Sequence, residues 1–415
     1  MPAGDIKISS LKIGDLDLTN FKQASYVGLN IYEDILNPYG PVAEVRVLDH
    51  SDALGKNNIQ GAYDKDIEIT LSGADSGFSG GQKKYKLKMY QNKNLNDQSI
   101  HNISNLKHKQ YDIRAVCPEL LNAQGNYMQK SYNDTTDNIV EDVVKKGFKT
   151  KLQIDKKSKT DGKRRVILNN KHPLDALKHL NRLHVSQEDK SSCYVLFQET
   201  GDQQKYVFST FEKLFKEQPV VTLKQTTTLD ASNASDQDRQ NSIMWFKASD
   251  SFFTPTRVLT KSAQKTFNLT THKVSSPDPD QPQQFKLPGQ PEYTGQAQHA
   301  DAVHHYTTFD KANDKDKHKT ADARDNRANF LSYLMQNSAE LETYFNPKIK
   351  LGSMIKLDIP ARTADGSGKE KQFNGQVCVV AIRTKIKPLG QTPRATMILR
   401  VIKGGAFDQS GGGQP

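Results

Sequence analysis

The stretch NKHPLDALKHL (Asn170–Leu180), followed by CYVLF (Cys193–Phe197) and YVFSTFEKLF (Tyr206–Phe215), decides the reading of this chain. Pro173 stands where the first turn of a helix tolerates it, and Leu174, Leu177 and Leu180 then recur along one stripe. A helix therefore begins at Pro173. After a polar loop, two apolar runs flank Gly201 and Asp202, which is hairpin chemistry. Helix, hairpin and the closing aromatic segment together predict a small α+β unit in the middle of the chain.

Upstream, from Thr135, Ile139, Val140, Val143 and Val144 keep helical spacing. Thr135 or Thr136 is the expected N-cap and Gly147 the expected stop. This helix, a basic loop near residues 155–165 and the segment just quoted form one mixed unit over residues 119–220.

Residues 1–118 read as strand after strand. Val45 and Val47 alternate with Glu44 and Arg46, Ile67, Ile69 and Leu71 with Glu68 and Thr70, Tyr111 and Ile113 with Asp112 and Arg114. Asn37-Pro38, Asn57-Asn58 and Gly80-Gly81 supply turns. Half-buried strands with polar outer faces predict an antiparallel barrel or sandwich. In KKYKLKMY (Lys83–Tyr90), Lys84, Lys86 and Lys88 alternate with Tyr85, Leu87 and Met89, so the lysines mark the wet face of a strand.

A second β-rich region follows. Val221 and Leu223 start a strand, and Phe267 and Leu269 fit another. Residues 275–295 are rich in Pro, Gln and Asp and read as loop, and the polar character continues to Lys319. Phe330, Leu331, Leu334 and Met335 cluster on one side of a helix expected over 321–337. Strands resume at 341–345, 349–351 and 355–359. A loop with Asp365-Gly366 and Asn374-Gly375 turns the chain into 377–386, and the last strand is 396–402. The expected organisation is thus a first barrel (1–118), the mixed unit (119–220), a second barrel (221–260 with 331–403), a polar and helical insertion (261–330) and a flexible tail (404–415). The fold class is α+β, mostly β.

Composition bounds the function. The chain has 415 residues, 35% of them apolar, and a formal charge of +11. No apolar run approaches the ~20 residues of a membrane-spanning helix, and no basic-then-apolar leader opens the sequence, so a soluble, unexported chain is expected. Cys117, Cys193 and Cys378 lie far apart, each in a β-like apolar run, which suits buried free thiols and a reducing cytoplasm. The basic clusters GKRR (162–165) and KDKHK (315–319) lie among acids in polar contexts, without a recognition helix or stacking aromatics, so specific nucleic-acid binding is not expected. His299, His304, His305 and His318 fall in a polar stretch without carboxylate partners on a rigid element, and no metal site is assigned.

No GxSxG, HExxH or GxxxxGK[ST] occurs. Glu199, Asp202 and Glu212 surround the hairpin and offer a carboxylate pair of the kind a glycosidase uses, though carboxylates beside turns are ordinarily solvated. The single tryptophan, Trp245, gives little for stacking a sugar. No catalytic, cofactor-binding or metal residue is assigned.

The order of features from Thr135 to Leu214 resembles the middle part of the central hub proteins of contractile phage tail baseplates, relatives of the hub part of type VI secretion spike proteins. The helix before Gly147, HPLDAL (172–177), the aromatic hairpin Tyr194–Phe208, FEKL (211–214) and KIKLGSMIKLDIP (348–360) before a long loop and two strands carry the likeness. The resemblance implies two tube-like barrels per chain and a homotrimer that offers a hexameric tail-tube ring six near-equivalent surfaces while holding a trimeric spike. It further implies a non-enzymatic virion protein made in the bacterial host cytoplasm, without cofactor or membrane insertion. Wedge proteins are further expected partners, and DNA is passing cargo. A carbohydrate- or receptor-binding tail protein and a peptidoglycan-cleaving enzyme remain the alternatives.

Overall fold

The structure, a computed structural model, describes residues 5–19, 23–59, 64–73, 81–94, 109–181, 183–188, 191–225, 241–248, 262–268, 273–275, 303–309, 338–360, 373–388 and 393–403. The expected helix over 321–337, most of the 275–319 stretch, the turn at Asp365-Gly366 and the tail lie outside them.

The N-terminal strands form where alternation predicts them: β1 (Ile6–Ile13), β2 (Leu16–Asp17), β3 (Ala24–Asp34), β4 (Val42–Asp49), the short helix α1 (Ala53–Lys56), β5 (Asp66–Gly73), β6 (Gln82–Asn94) and β7 (Lys109–Val116). Val45, Val47, Ile67, Ile69, Leu71, Tyr111 and Ile113 all point inward and are buried. Each such side chain taken out of water is worth ~1.5–3 kcal/mol.

The mixed unit comprises α2 (Pro118–Gln124), β8 (Met128–Thr135), α3 (Thr136–Gly147), β9 (Ile154–Lys156), β10 (Lys163–Lys171), α4 (Pro173–Leu180), β11 (Tyr194–Glu199), β12 (Lys205–Thr210) and α5 (Phe211–Phe215). α3 starts after Thr135 as expected and buries Ile139, Val140, Val143 and Val144. At α4, His172 caps the helix by accepting the Leu174 N–H, with Pro173 beside it in the first turn. The segment read as a basic loop is partly sheet: GKRR leads into β10, which pairs with β8, and β9 adds in parallel to β12.

The C-terminal part holds β13 (Thr222–Lys224), β14 (Ile243–Ala248), β15 (Ser262–Asn268), β16 (Lys273–Ser275), β17 (Val303–Phe309), β18 (Ser338–Tyr344), β19 (Met354–Asp358), β20 (Gly375–Lys387) and β21 (Arg394–Ile402). β15, β16 and β17 make a separate small sheet, so the described residues of the 261–330 insertion are strands, and β17 falls where polar loop was expected. Residues 349–351 do not form the expected strand. Ser353 Oγ donates to the Lys350 carbonyl at 2.6 Å and Gly352 adopts φ 74°, so the chain turns there instead.

The topology turns on β20. Its pairing with β21 runs almost its whole length, but on the other edge Gly375–Cys378 pair with β19 and Ala381–Ile386 pair with β3. A bulge between Val379 and Ala381 marks the change of neighbour. One ring runs β20-β3-β4-β7-β6-β5-β1, and the bridge between Asp5 and Arg394, with Ile6 N–H donating to the Pro393 carbonyl at 3.0 Å, returns it to β21. A second ring runs β20-β21-β18-β14, and the bridge from Ser242 to Lys224 leads through β13 and β19 back to β20. The β20–β21 hairpin is a wall common to both. A single hydrophobic core extends through the two rings.

Candidate functional site

The β11–β12 hairpin joins the mixed unit to the rings because its strands alternate between two cores. Val195, Phe197 and Val207 pack with the ring core, while Tyr194, Leu196, Tyr206 and Phe208 pack with α3 and α4. Period-2 geometry makes this possible: neighbouring side chains face opposite ways.

The hairpin tip meets both rings where β20 changes neighbour. Gly352 N–H donates to the Val379 carbonyl at 2.9 Å, Val379 N–H to Ser353 at 3.0 Å and Ile35 N–H to Val380 at 2.8 Å. A Cβ on Gly352 would lie 2.8 Å from Phe197 Cζ, so the 347–353 turn is pressed directly against the hairpin. Lys350 Nζ reaches Glu199 Oε1 at 3.1 Å, and on the other flank Lys84 N–H donates to the Gly201 carbonyl at 3.0 Å and Gln82 N–H to Asp202 Oδ1 at 3.1 Å. An open cleft of about 490 Å³ lies at this meeting point, bounded among others by Glu199, Asp202, Lys348, Lys350 and Ser353. The ion pair Lys157–Glu217, at 2.5 Å, stands in its wall.

Beneath the tip is a buried charged cluster. Lys83 and Glu33 form an ion pair at 3.3 Å with side chains 0% and 1% exposed. The same carboxylate accepts Tyr85 Oη at 3.4 Å and the Thr200 hydroxyl. Burial, and secondarily the Glu33 carboxylate, push the Tyr85 hydroxyl well above its ordinary pKa. The sequence did not mark this cluster: Lys83 opens a run of lysines, and Lys84 and Lys86 are exposed and Lys88 half-buried as expected. The signal that could have found it is phase, since Lys83 shares the inward register of Tyr85, Leu87 and Met89.

The carboxylates considered for catalysis are separated in role. Glu199 is held by Lys350, with Lys205 at 4.0 Å, Asp202 accepts a backbone N–H, and Glu212 is buried on α5 away from the cleft lining. The cleft is lined by ion pairs and main-chain groups. Trp245 donates its indole N–H to Glu342, which also accepts Thr396 Oγ1 at 2.7 Å, so its donor is used within the sheet. His304 and His305 occupy consecutive positions of β17, while His299 and His318 lie outside the described residues. Among the described residues no cluster of His, Cys, Asp and Glu has metal-binding geometry.

The positive charge is dispersed. On the outer face of the first ring Glu68 is in register with Lys12 on one side and Lys86 on the other, and Lys88 binds Asp64 at 2.7 Å. In β10 Arg164 is in register with Asp134. KDKHK lies outside the described residues. Cys117, Cys193 and Cys378 are free and buried. No helix among the described residues is long and apolar enough to cross a membrane.

No family model and no curated protein matches the sequence. Solved structures do match. A tail protein from Neisseria meningitidis superposes with a TM-score of 0.56 at 9% identity, covering 97% of this chain and 98% of that one. The 43 kDa tail protein of prophage MuSo2 from Shewanella oneidensis superposes with a TM-score of 0.54 at 10% identity, covering 97% and 99%. An Escherichia coli component of the type VI secretion system is a looser match, with a TM-score of 0.49 at 9% identity, covering 99% and 79%. Over almost its whole length, this chain has the fold of the two tail proteins.

Proposed function

We propose that this chain is the structural hub subunit of a contractile-tail baseplate, a homotrimer that adapts a hexameric tube to a trimeric spike and leaves an axial passage for DNA. The observation that carries the reading is the pair of rings closed within one chain on a common β20–β21 wall. A threefold assembly can offer sixfold contacts only if each chain contributes two comparable surfaces. The two rings, β20-β3-β4-β7-β6-β5-β1 returning to β21 and β20-β21-β18-β14 returning through β13 and β19, are those surfaces, and the mixed unit is tied to both through the β11–β12 hairpin. The tail-protein fold supports the same reading, and so does the engagement of the cleft carboxylates Glu199 and Asp202 by Lys350 and a backbone N–H. The protein acts without catalysis, by holding alignment and carrying load. Its interfaces bury upwards of ~2,000 Å², as in permanent assemblies.

Mass measurement in solution over a range of concentrations tests this. A trimer, with ring-shaped particles in electron micrographs, supports the hub. A monomer at every concentration that shows a glycan-dependent thermal shift, or turnover on peptidoglycan, would replace it with a binding module or an enzyme.

A further inference from the structure

Glu33 and Lys83 are charged residues pointing into the core at one end of the first ring. Glu33 is the penultimate residue of β3, in phase with Leu29 and Ile31, and Lys83 is the second residue of β6, in phase with Tyr85 and Leu87. Charges taken out of water are tolerated only when each is paired and its remaining hydrogen-bonding capacity is filled. Here the ring itself supplies two donors to Glu33, from Lys83 and Tyr85. The third, the Thr200 hydroxyl, comes from the hairpin tip of the mixed unit. Immediately after Thr200 the tip is fastened to the start of β6 by the bonds from Lys84 N–H to Gly201 and from Gln82 N–H to Asp202.

We propose that the tip of the β11–β12 hairpin is a latch on the end of the first ring: Thr200 seals the Glu33–Lys83 pair from water, so undocking of the hairpin and hydration of the ring end are one event. The ring and the mixed unit then open together and stay rigid together, although 167 residues separate Glu33 from Thr200. The inference is independent of the tail reading, since it concerns how two parts of one chain are coupled.

Hydrogen exchange on the full chain, read by mass spectrometry over residues 198–206 and 83–87, tests it. Thr200→Val, which keeps the shape and removes the donor, is expected to speed exchange at least tenfold in both segments, and Thr200→Ser to leave both near the parent rates. In a Glu33→Leu, Lys83→Met background, where no charge needs sealing, Thr200→Val should affect the hairpin segment alone. If Thr200→Val in the parent speeds only the hairpin segment, or neither, the latch is wrong. Should that variant fail to fold, its folding in the charge-free background supports the latch, and its failure there too overturns it.

Discussion

Gly147, the last residue of α3, approaches Pro173, the first of α4, so closely that a Cβ on the glycine would lie 2.8 Å from the proline Cβ and 2.9 Å from its Cγ. The sequence pattern casts Gly147 as a helix stop, but the left-handed residue beyond the helix is Lys149, with φ 50°. Glycine at 147 is explained by the helix contact. Helix propensity alone would reward alanine by ~1 kcal/mol, whereas forcing a methyl group against a rigid pyrrolidine ring costs ~1–3 kcal/mol. Gly147→Ala should therefore lower stability, by ~1 kcal/mol net, measured as a fall in the denaturant midpoint. An unchanged or raised midpoint would mean that the two helices separate freely.

The three thiols should be silent in the native protein. Burial pushes Cys378 from 9.0 up to about 12, which leaves about a thousandfold less thiolate at a given pH. Burial, with the nearby Glu119 and Glu33 carboxylates, raises Cys117 well above its ordinary value. A chromogenic thiol reagent at mildly alkaline pH should label none of the three before denaturant is added and all three afterwards. Fast native labelling at any of them would contradict the packing around it.

Acid should weaken the mixed unit through α3. Burial alone would raise Asp137, but hydrogen bonds from Thr160 and Thr135 and the charge of Lys156 outweigh it and hold the carboxyl below its usual value. Glu141 is lowered by its hydrogen bonds to Lys145 and then Lys156. Groups whose folded pKa is depressed stabilise above their unfolded pKa, ~3.9 for Asp and ~4.3 for Glu, and that stability is lost as pH falls through the folded value. The Tm contribution should be steady from neutral pH to about 5 and decline below about 4. Asp137→Asn should lower Tm at pH 7 and flatten the acid decline. A variant that retains the parent's full acid dependence would exclude Asp137 as a source.

The Lys350–Glu199 contact ties the second ring to the hairpin with side chains 36% and 15% exposed. At that exposure solvent screens it, so Lys350→Met should cost no more than ~0.5–1 kcal/mol. The cost should shrink at ~1 M salt. Denaturant midpoints of parent and variant at low and high salt decide it, and a salt-independent loss would mean that the lysine stem, and not its charge, holds the turn.

Elements whose own residues carry the pattern were legible: the buried stripe of α3, the Pro173 start of α4 and the apolar runs of β11 and β12 about their turn. What escaped depended on partners distant in sequence. The start of β10 looked like loop because Lys163, Arg164 and Arg165 carry no apolar alternation, and what makes them strand is pairing with β8, some 30 residues earlier. Ile349 and Leu351 are buried like strand residues, yet the Ser353 hydroxyl and Gly352 bend them into a turn. Lys83 looked wet because its counter-ion Glu33 lies on another strand, and the third partner, Thr200, lies in another unit. Two β-rich regions were visible in the sequence, whereas their common wall was not, because ring closure rests on pairings between the chain's two ends.

That common wall has a consequence for dissection. A fragment ending near residue 118 would carry β3 with no β20 beside it and β1 with no Arg394 to meet, and a fragment beginning near 221 would leave Ala381–Ile386 as a bare edge. Each would display an open strand ready to recruit a stranger. Neither half can be cleanly excised: the N-terminal ring is completed by residues from β20 and β21, so a ribosome must have released Arg394 before that ring can shut.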